Sequence, residues 1–208
     1  MEDVLAVYTR PADPARPLVC LDETSRQVLA EVRAPLPVAP GRPARHDPEY
    51  ARDGVVNVFL VSEPLRGRRQ VRLSARRTRI DFAHCIQELV DVHYPDAEQI
   101  ILVLDQLNTH SPASLYEAFP PAEAKRLADR LEIHYTPTHG SWLNMAEIEL
   151  SVLARQCLNR RVGDRATLER EVAAWTAARN DAATTIDWRF TTADARIKLK
   201  RLYPAIDP

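Results

Sequence analysis

The chain has 208 residues, 45% hydrophobic and 27% charged, a balance that suits one folded domain, alone or with a helical extension, and excludes a disordered chain. No apolar run approaches the roughly 20 residues that cross a bilayer, and the acidic, apolar-poor N-terminus lacks the pattern of a secretory signal, so no membrane association and a cytoplasmic location are expected. The net charge of −1 argues against a uniformly basic nucleic-acid binder, yet seven arginines and no acid lie between Arg66 and Arg79, with a second group at Arg155, Arg160, Arg161 and Arg165; local phosphate-binding patches and ordinary solvated faces both fit that pattern.

Residues 1–17 are proline-rich and are expected to be irregular. Leu18–Leu21 is a short apolar run ending in Asp22-Glu23, the pattern of a buried strand with acids at its end. Residues 33–50 carry five prolines and a Gly-Arg-Pro and predict a loop. Val55–Val61 is rich in strand formers, Pro64 and Gly67 break the chain, and Gln70–Leu73 alternates, which together predict an antiparallel hairpin. A helical rhythm runs from Thr78 to Tyr94. Ile100–Leu104 is continuously apolar, as in a strand covered on both faces, and Asp105 follows it. Helices are expected over Ser114–Phe119 and Ala122–Leu131, interrupted by Pro120-Pro121, then a strand at Leu131–Tyr135 and a loop at Pro137–Ser141. A long helix is predicted over Trp142–Leu158 and a last one over Ala166–Ala178, with Leu168, Val172 and Trp175 on one stripe. Cys20, Cys85 and Cys157 are far apart, lack metal-ligand spacing and read as buried free thiols of a reducing compartment. This element order predicts an α/β chain of the RNase H-like kind, a mixed five-stranded sheet flanked by helices with a C-terminal helical extension.

Two of these strands end in acids. In open α/β sheets, ligands sit at the carboxyl edge of the strands. If the two strands are neighbours, Asp22 and Asp105 stand side by side and repel unless a cation lies between them. Hard oxygen donors suit Mg²⁺ or Mn²⁺; the alternative is that each acid is a loop or capping residue. A third acid follows from helical phase. With Leu143 at zero and about 100° per residue, Leu150, Ala154 and Cys157 form an inward stripe, Glu147 falls on it at about 40°, and Glu149 points away at about −120°. Glu147 is therefore the expected third ligand, or else the partner of an arginine, and Glu149 the surface acid.

Three segments carry a resemblance. They are Leu-Asp-Glu-Thr-Ser at 21–25, Leu-Asp-Gln-Leu-Asn-Thr-His at 104–110, and Tyr-Thr-Pro-Thr-His-Gly-Ser-Trp-Leu-Asn-Met-Ala-Glu at 135–147. They resemble blocks of the bacterial insertion-sequence transposases related to the mariner superfamily, which carry a DDE endonuclease domain. The similarity runs from about Val19 to Pro204, and the third block is the most specific. The resemblance implies a catalytic domain over residues 18–204, with Asp22, Asp105 and Glu147 as catalytic and metal-binding residues. Two Mg²⁺ or Mn²⁺ ions are the implied cofactors, and double-stranded DNA, both transposon ends and target, is the implied partner of a homodimer. The implied reaction is two-metal-ion cleavage of transposon ends followed by strand transfer. Gln106 stands where relatives usually have Asn, and the family's N-terminal helix-turn-helix region is expected to be absent, as in a split-frame product, a truncated copy or a fragment. Asn108 and His110 belong to the same block, and Gln106 and Asn108 are expected to support the acids or contact DNA. His110 is expected to orient a phosphate or water, and His139 and Asn144 to contact substrate; each is otherwise a structural loop residue. The rival readings are an RNase H-like nuclease without strand transfer and an inactive remnant. The chain has no Gly-x-Ser-x-Gly and no glycine-rich phosphate loop, so a serine hydrolase or nucleotide-binding reading does not fit.

Overall fold

The apolar runs assemble into one five-stranded sheet in the computed structural model, which describes residues 1–34, 36–45 and 47–203. Strands β1 (Leu18–Glu31), β2 (Tyr50–Glu63), β3 (Arg68–Ser74), β4 (Ile100–Leu104) and β5 (Leu131–Tyr135) lie in the order β3-β2-β1-β4-β5. The β1–β2 and β2–β3 pairs are antiparallel, and the β1–β4 and β4–β5 pairs are parallel. Antiparallel neighbours are joined by loops, whereas a parallel neighbour needs a crossover. Helix α2 (Arg79–Glu88), continued by a π-helical turn at Leu89–His93, precedes β4, and α3 (Ala113–Ala118) and α4 (Pro121–Asp129) precede β5. After β5 come a 3₁₀ turn at Ser141–Leu143, α5 (Met145–Gln156), α6 (Arg165–Asp181) and α7 (Thr192–Lys198).

The sheet is covered on both faces, and strand parity decides which side chain goes where. Leu18 and Cys20 of β1 and Ile101 and Val103 of β4 pack with residues of α5 and α6. Val19 and Leu21, with Ile100, Leu102 and Leu104, pack on the other face with residues of α2, α3 and α4. Two buried faces explain why the Ile100–Leu104 run does not alternate. The three cysteines are buried free thiols.

Several expectations are corrected. Residues 1–17 are not wholly irregular: α1 (Glu2–Tyr8) packs Val4, Leu5, Val7 and Tyr8 into the core. The prolines that suggested irregularity begin only at Pro11. β1 does not stop at Leu21 but continues to Glu31, because β2 pairs with it along that length after β4 has ended. The predicted loop between these strands, outside residues 35 and 46, carries only isolated bridges at Leu36–Arg45 and Ala39–Arg42. The expected end of the domain at Pro204 lies outside the described residues. The chain also forms α7 beyond the expected last helix; Thr191 and Asp194 close a capping box at its start. Five of the seven clustered arginines have carboxylate neighbours: Arg66 meets Glu63, Arg69 meets Glu149, Arg72 meets Glu88, Arg77 meets Glu23 and Arg79 meets Glu117.

The largest correction concerns Glu149, which is buried, not solvent-facing. Leu143, the zero of the helical phase, lies in the 3₁₀ turn before the helix and does not share its phase. α5 begins at Met145, and its buried residues are Met145, Ala146, Glu149 and Leu153, whereas Ala154 is exposed. Glu149 accepts hydrogen bonds from Arg69 Nη2 at 3.1 Å and from Arg179 Nη2 at 2.9 Å. Arg69 is itself fully buried, and it donates to the carbonyls of Gly67, Arg179 and Thr184 at 2.9, 3.0 and 2.7 Å. Gly67 has φ +64°, and a Cβ there would lie 2.4 Å from the Ala183 carbonyl carbon, so only glycine lets the β2–β3 turn come this close to the end of α6. This network joins β3, α5 and α6. Glu149→Ala strands a buried guanidinium and is expected to destabilise the fold by about 3–5 kcal/mol, with Glu149→Gln in between. Urea midpoints measure this, and an unchanged midpoint for the alanine variant would contradict the network's role.

Candidate active site

β1 and β4 run in parallel with Leu18 opposite Ile101 and Cys20 opposite Val103. Two residues further on, the same register brings Asp22 level with Asp105, just past the end of β4. By parity Asp22 continues the sheet face that carries Cys20, the face on which α5 lies, whereas the Asp105 side chain, past the end of its strand, is turned to His110. Asn144 ties α5 to this edge. It is fully buried, its Nδ2 donates to the Leu21 carbonyl at 2.8 Å, and its Oδ1 accepts the Ala146 N–H at 3.1 Å as the helix N-cap. Glu147 sits in the first turn of α5, half-buried. Among the described residues it has no ion-pair partner within 4.0 Å, unlike Glu149.

The electrostatics follow from burial. Desolvation pushes the Asp22 carboxyl up to about 7, and the negative charges of Glu23, Asp105 and Glu147 push the same way, against a hydrogen bond from the Glu23 N–H at 2.8 Å. Asp105 is held below the usual carboxylate range, first by its hydrogen bond with His110 Nδ1 at 2.6 Å and also by the Leu107 N–H at 3.0 Å. Burial alone would lower His110. Its bonds to Asp105 and Glu23 outweigh that and raise it to about 9. His110 Nε2 lies 2.9 Å from Glu23 Oε2, with both side chains almost fully buried, and its ring packs on Phe82 at 4.9 Å between centroids.

The remaining candidates are dispersed around this edge. Gln106 donates through Nε2 to the Thr136 carbonyl at 3.1 Å, linking the segments that follow β4 and β5. Asn108 is exposed. A shallow cavity of about 310 Å³ lies among Gln106, Leu107, Asn108, His110, Ser111 and Tyr135. His139 is exposed at φ +60° in a turn closed by Gly140 N–H to the Pro137 carbonyl at 2.8 Å. A larger cavity of about 380 Å³, lined by Arg69, Arg72, Glu88 and Asn180 among others, contains none of the candidate residues. Sequence reasoning missed Glu23. Once β1 is read as continuing past Asp22, alternation puts Glu23 on the opposite face, toward α2 and His110; the apparent strand end at Leu21 hid that signal.

The donor set suits a hard divalent cation: carboxylate oxygens, one of them desolvated and crowded by like charge. Among the described residues no three His, Cys, Asp or Glu side chains are close enough together to hold one ion, and Asp105 is turned to His110.

A mixed sheet in this order, with helices on both faces, is the RNase H-like fold. The model of the family described as DDE superfamily endonuclease matches residues 17–169, and the chain belongs to that family. Several solved structures share the fold. The Mos1 mariner paired-end complex with Mn is 15% identical, with 87% of this chain and 54% of that one covered and a TM-score of 0.57. The Mos1 transposase paired-end complex with left transposon end is 14% identical over 86% and 55%, with a TM-score of 0.58. The Mos1 strand transfer complex is 14% identical over 87% and 52%, with a TM-score of 0.54. At that identity the likeness speaks to the fold, and the chain spans little more than half the length of these proteins. No protein of curated function matches the sequence. No helix among the described residues is long and apolar enough to cross a membrane.

The shifts give stability a defined pH dependence. Asp22 titrates higher in the folded chain than in the unfolded one, so its penalty is absent below about pH 4 and complete above about 7. His110 also titrates higher when folded, so its contribution is full below about pH 6.5 and is lost as pH rises through about 9. In metal-free buffer, stability should therefore fall in two steps as pH rises. Asp22→Asn removes the lower step and is stabilising at pH 8 on the order of 1–3 kcal/mol. His110→Asn removes the upper one. Melting temperatures across pH 4–10 check both; a lower melting temperature for Asp22→Asn at pH 8 would reverse the sign.

Proposed function

We propose that the chain is the catalytic domain of a DNA transposase, acting in the cytoplasm on double-stranded transposon ends and target DNA as a homodimer. The observation that carries this reading is the register of β1 and β4. It levels Asp22 with Asp105 at the sheet edge that receives the start of α5, whose first turn carries Glu147. Asp22, Asp105 and Glu147 would hold two Mg²⁺ or Mn²⁺ ions. When bound, these would supply Lewis-acid stabilisation of charge on the attacking and leaving oxygens of a phosphodiester.

The chain's own residues have separate parts in this reading. Asp22 feels the negative charge of both other acids, and its carboxyl is opposed to ionisation without a cation, first because it is buried. Asn144 anchors the start of α5 to the Leu21 carbonyl, so Glu147 is carried on a rigid helix start rather than on a loop. His110, itself held by Glu23, orients Asp105. Gln106 braces the two loops through the Thr136 carbonyl, although its side chain is longer than the Asn usual in relatives.

One observation favours a second reading, that of an inactive remnant: Asp105 is engaged with His110 and no three-donor group is formed among the described residues. Mn²⁺ separates the two. For an active site, Mn²⁺ should raise the melting temperature and support nicking of supercoiled plasmid and joining of a labelled 3′-end to target DNA. Asp22→Asn, Asp105→Asn and Glu147→Gln should each lower nicking by more than about 100-fold and abolish the thermal shift. Nicking without joining would favour a nuclease. No thermal shift and no nicking by the unaltered chain would leave the remnant reading standing.

A further inference from the structure

We infer that the exposed indole of Trp142 is a stacking platform for an unpaired DNA base at the rim of the candidate active site; this rests on the DNA reading above. β5 is parallel to β4, so the segment that follows it leaves the sheet at the same edge as Asp105. The bond from Gln106 to the Thr136 carbonyl ties that segment to the loop carrying Asp105. The next residues turn back toward the acids, and Asn144, two residues beyond Trp142, is bonded to Leu21, the neighbour of Asp22. Within this short turn Leu143 and Asn144 are fully buried, while Trp142 remains 44% exposed.

A single exposed aromatic residue is ordinary on a protein surface; the mounting of this one is what points to a ligand. The turn is held at successive points. Tyr8 Oη donates to the Leu143 carbonyl at 2.6 Å, Asn144 N–H to the Ser141 carbonyl at 2.7 Å, and Leu143 N–H to the Gly140 carbonyl at 3.0 Å. The indole meets Phe190 edge-to-face, with centroids 5.4 Å apart at 76°. Lys198 Nζ lies 5.6 Å from the centre of the Phe190 ring and 3.7 Å from Asp194 Oδ1 on the exposed surface, placing a cation beside the aromatic pair that a phosphate can draw from its exposed carboxylate. A rigid aromatic surface with an adjacent cation is the arrangement that takes a nucleobase and its phosphate. Stacking is tolerant of sequence because every base has a π-face. Base pairs beside a cut or an end of a duplex open most easily, and an unpaired base is the cheapest to capture.

The test measures binding in EDTA at low salt, so that no strand is cut. Fluorescence anisotropy compares a labelled duplex bearing a three-nucleotide single-stranded tail with the same duplex bearing an abasic tail. The unaltered chain should bind the base-bearing tail about 5–100-fold more tightly than the abasic one. Trp142→Ala should bind both tails with the lower affinity, and Trp142→Phe should keep most of the preference. Retention of that ratio by the phenylalanine variant separates stacking from a folding defect. If the unaltered chain binds duplex in a salt-dependent way but shows no preference between tails, or if Trp142→Ala keeps the preference, stacking at Trp142 is overturned while the DNA reading survives. If the unaltered chain binds none of these DNAs, both fall together.

Discussion

The architecture depends on how β1 divides its hydrogen bonds. It is paired with β2 along most of its length but with β4 only over Leu18–Cys20. The point at which β4 ends is the point at which β1 loses a covering neighbour on one side, and Asp22 stands there. A carboxylate placed two residues earlier would be enclosed between two strands and two helical layers. Placed much later, it would lie on the solvent-exposed part of the hairpin. The partial burial of Asp22, and its raised titration, follow from that position.

The edge is then built by loans from distant segments. Asn144 brings α5 to Leu21, Tyr8 from α1 reaches the Leu143 carbonyl, and Gln106 reaches Thr136. Each is a side-chain hydrogen bond to backbone, which fixes a loop without adding charge beside the acids. On the far side of α5 the situation is reversed: Glu149 meets Arg69 and Arg179 in a buried ionic network. One helix thus carries two glutamates in opposite circumstances, one neutralised by arginines and one left without an ion-pair partner among the described residues. That asymmetry makes Glu147 the natural candidate for a cation ligand.

His110 shows how a candidate residue can be well placed and differently employed. Its spacing from Asp105 suggested contact with a phosphate or water. Both ring nitrogens lie against carboxylates, and the side chain is almost fully buried, so in this arrangement it orients protein groups. Asn144 is likewise turned to backbone rather than outward. Membership of the endonuclease family agrees with the acids at this edge, while the assignment of roles rests on chemistry that the proposed measurements address.

Much was determined by the sequence alone. The apolar runs located all five strands, the proline breaks separated α3 from α4, and the acids after Leu21 and Leu104 marked one edge of the sheet, because backbone periodicity and turn chemistry are local properties. α1 and α7 escaped that reading, although local signals for them exist in the apolar spacing before Pro11 and in the Thr191–Asp194 capping box. The tertiary structure alone decided the rest. The length of β1 depends on its pairing with β2, a partner remote in sequence. The phase of α5 depends on a 3₁₀ turn that holds Leu143 outside the helix. The burial of Glu149 depends on Arg69 and Arg179, which lie 80 and 30 residues away along the chain. No local pattern can show such partners, since a buried charge is tolerated only when the fold brings its counter-charge to it.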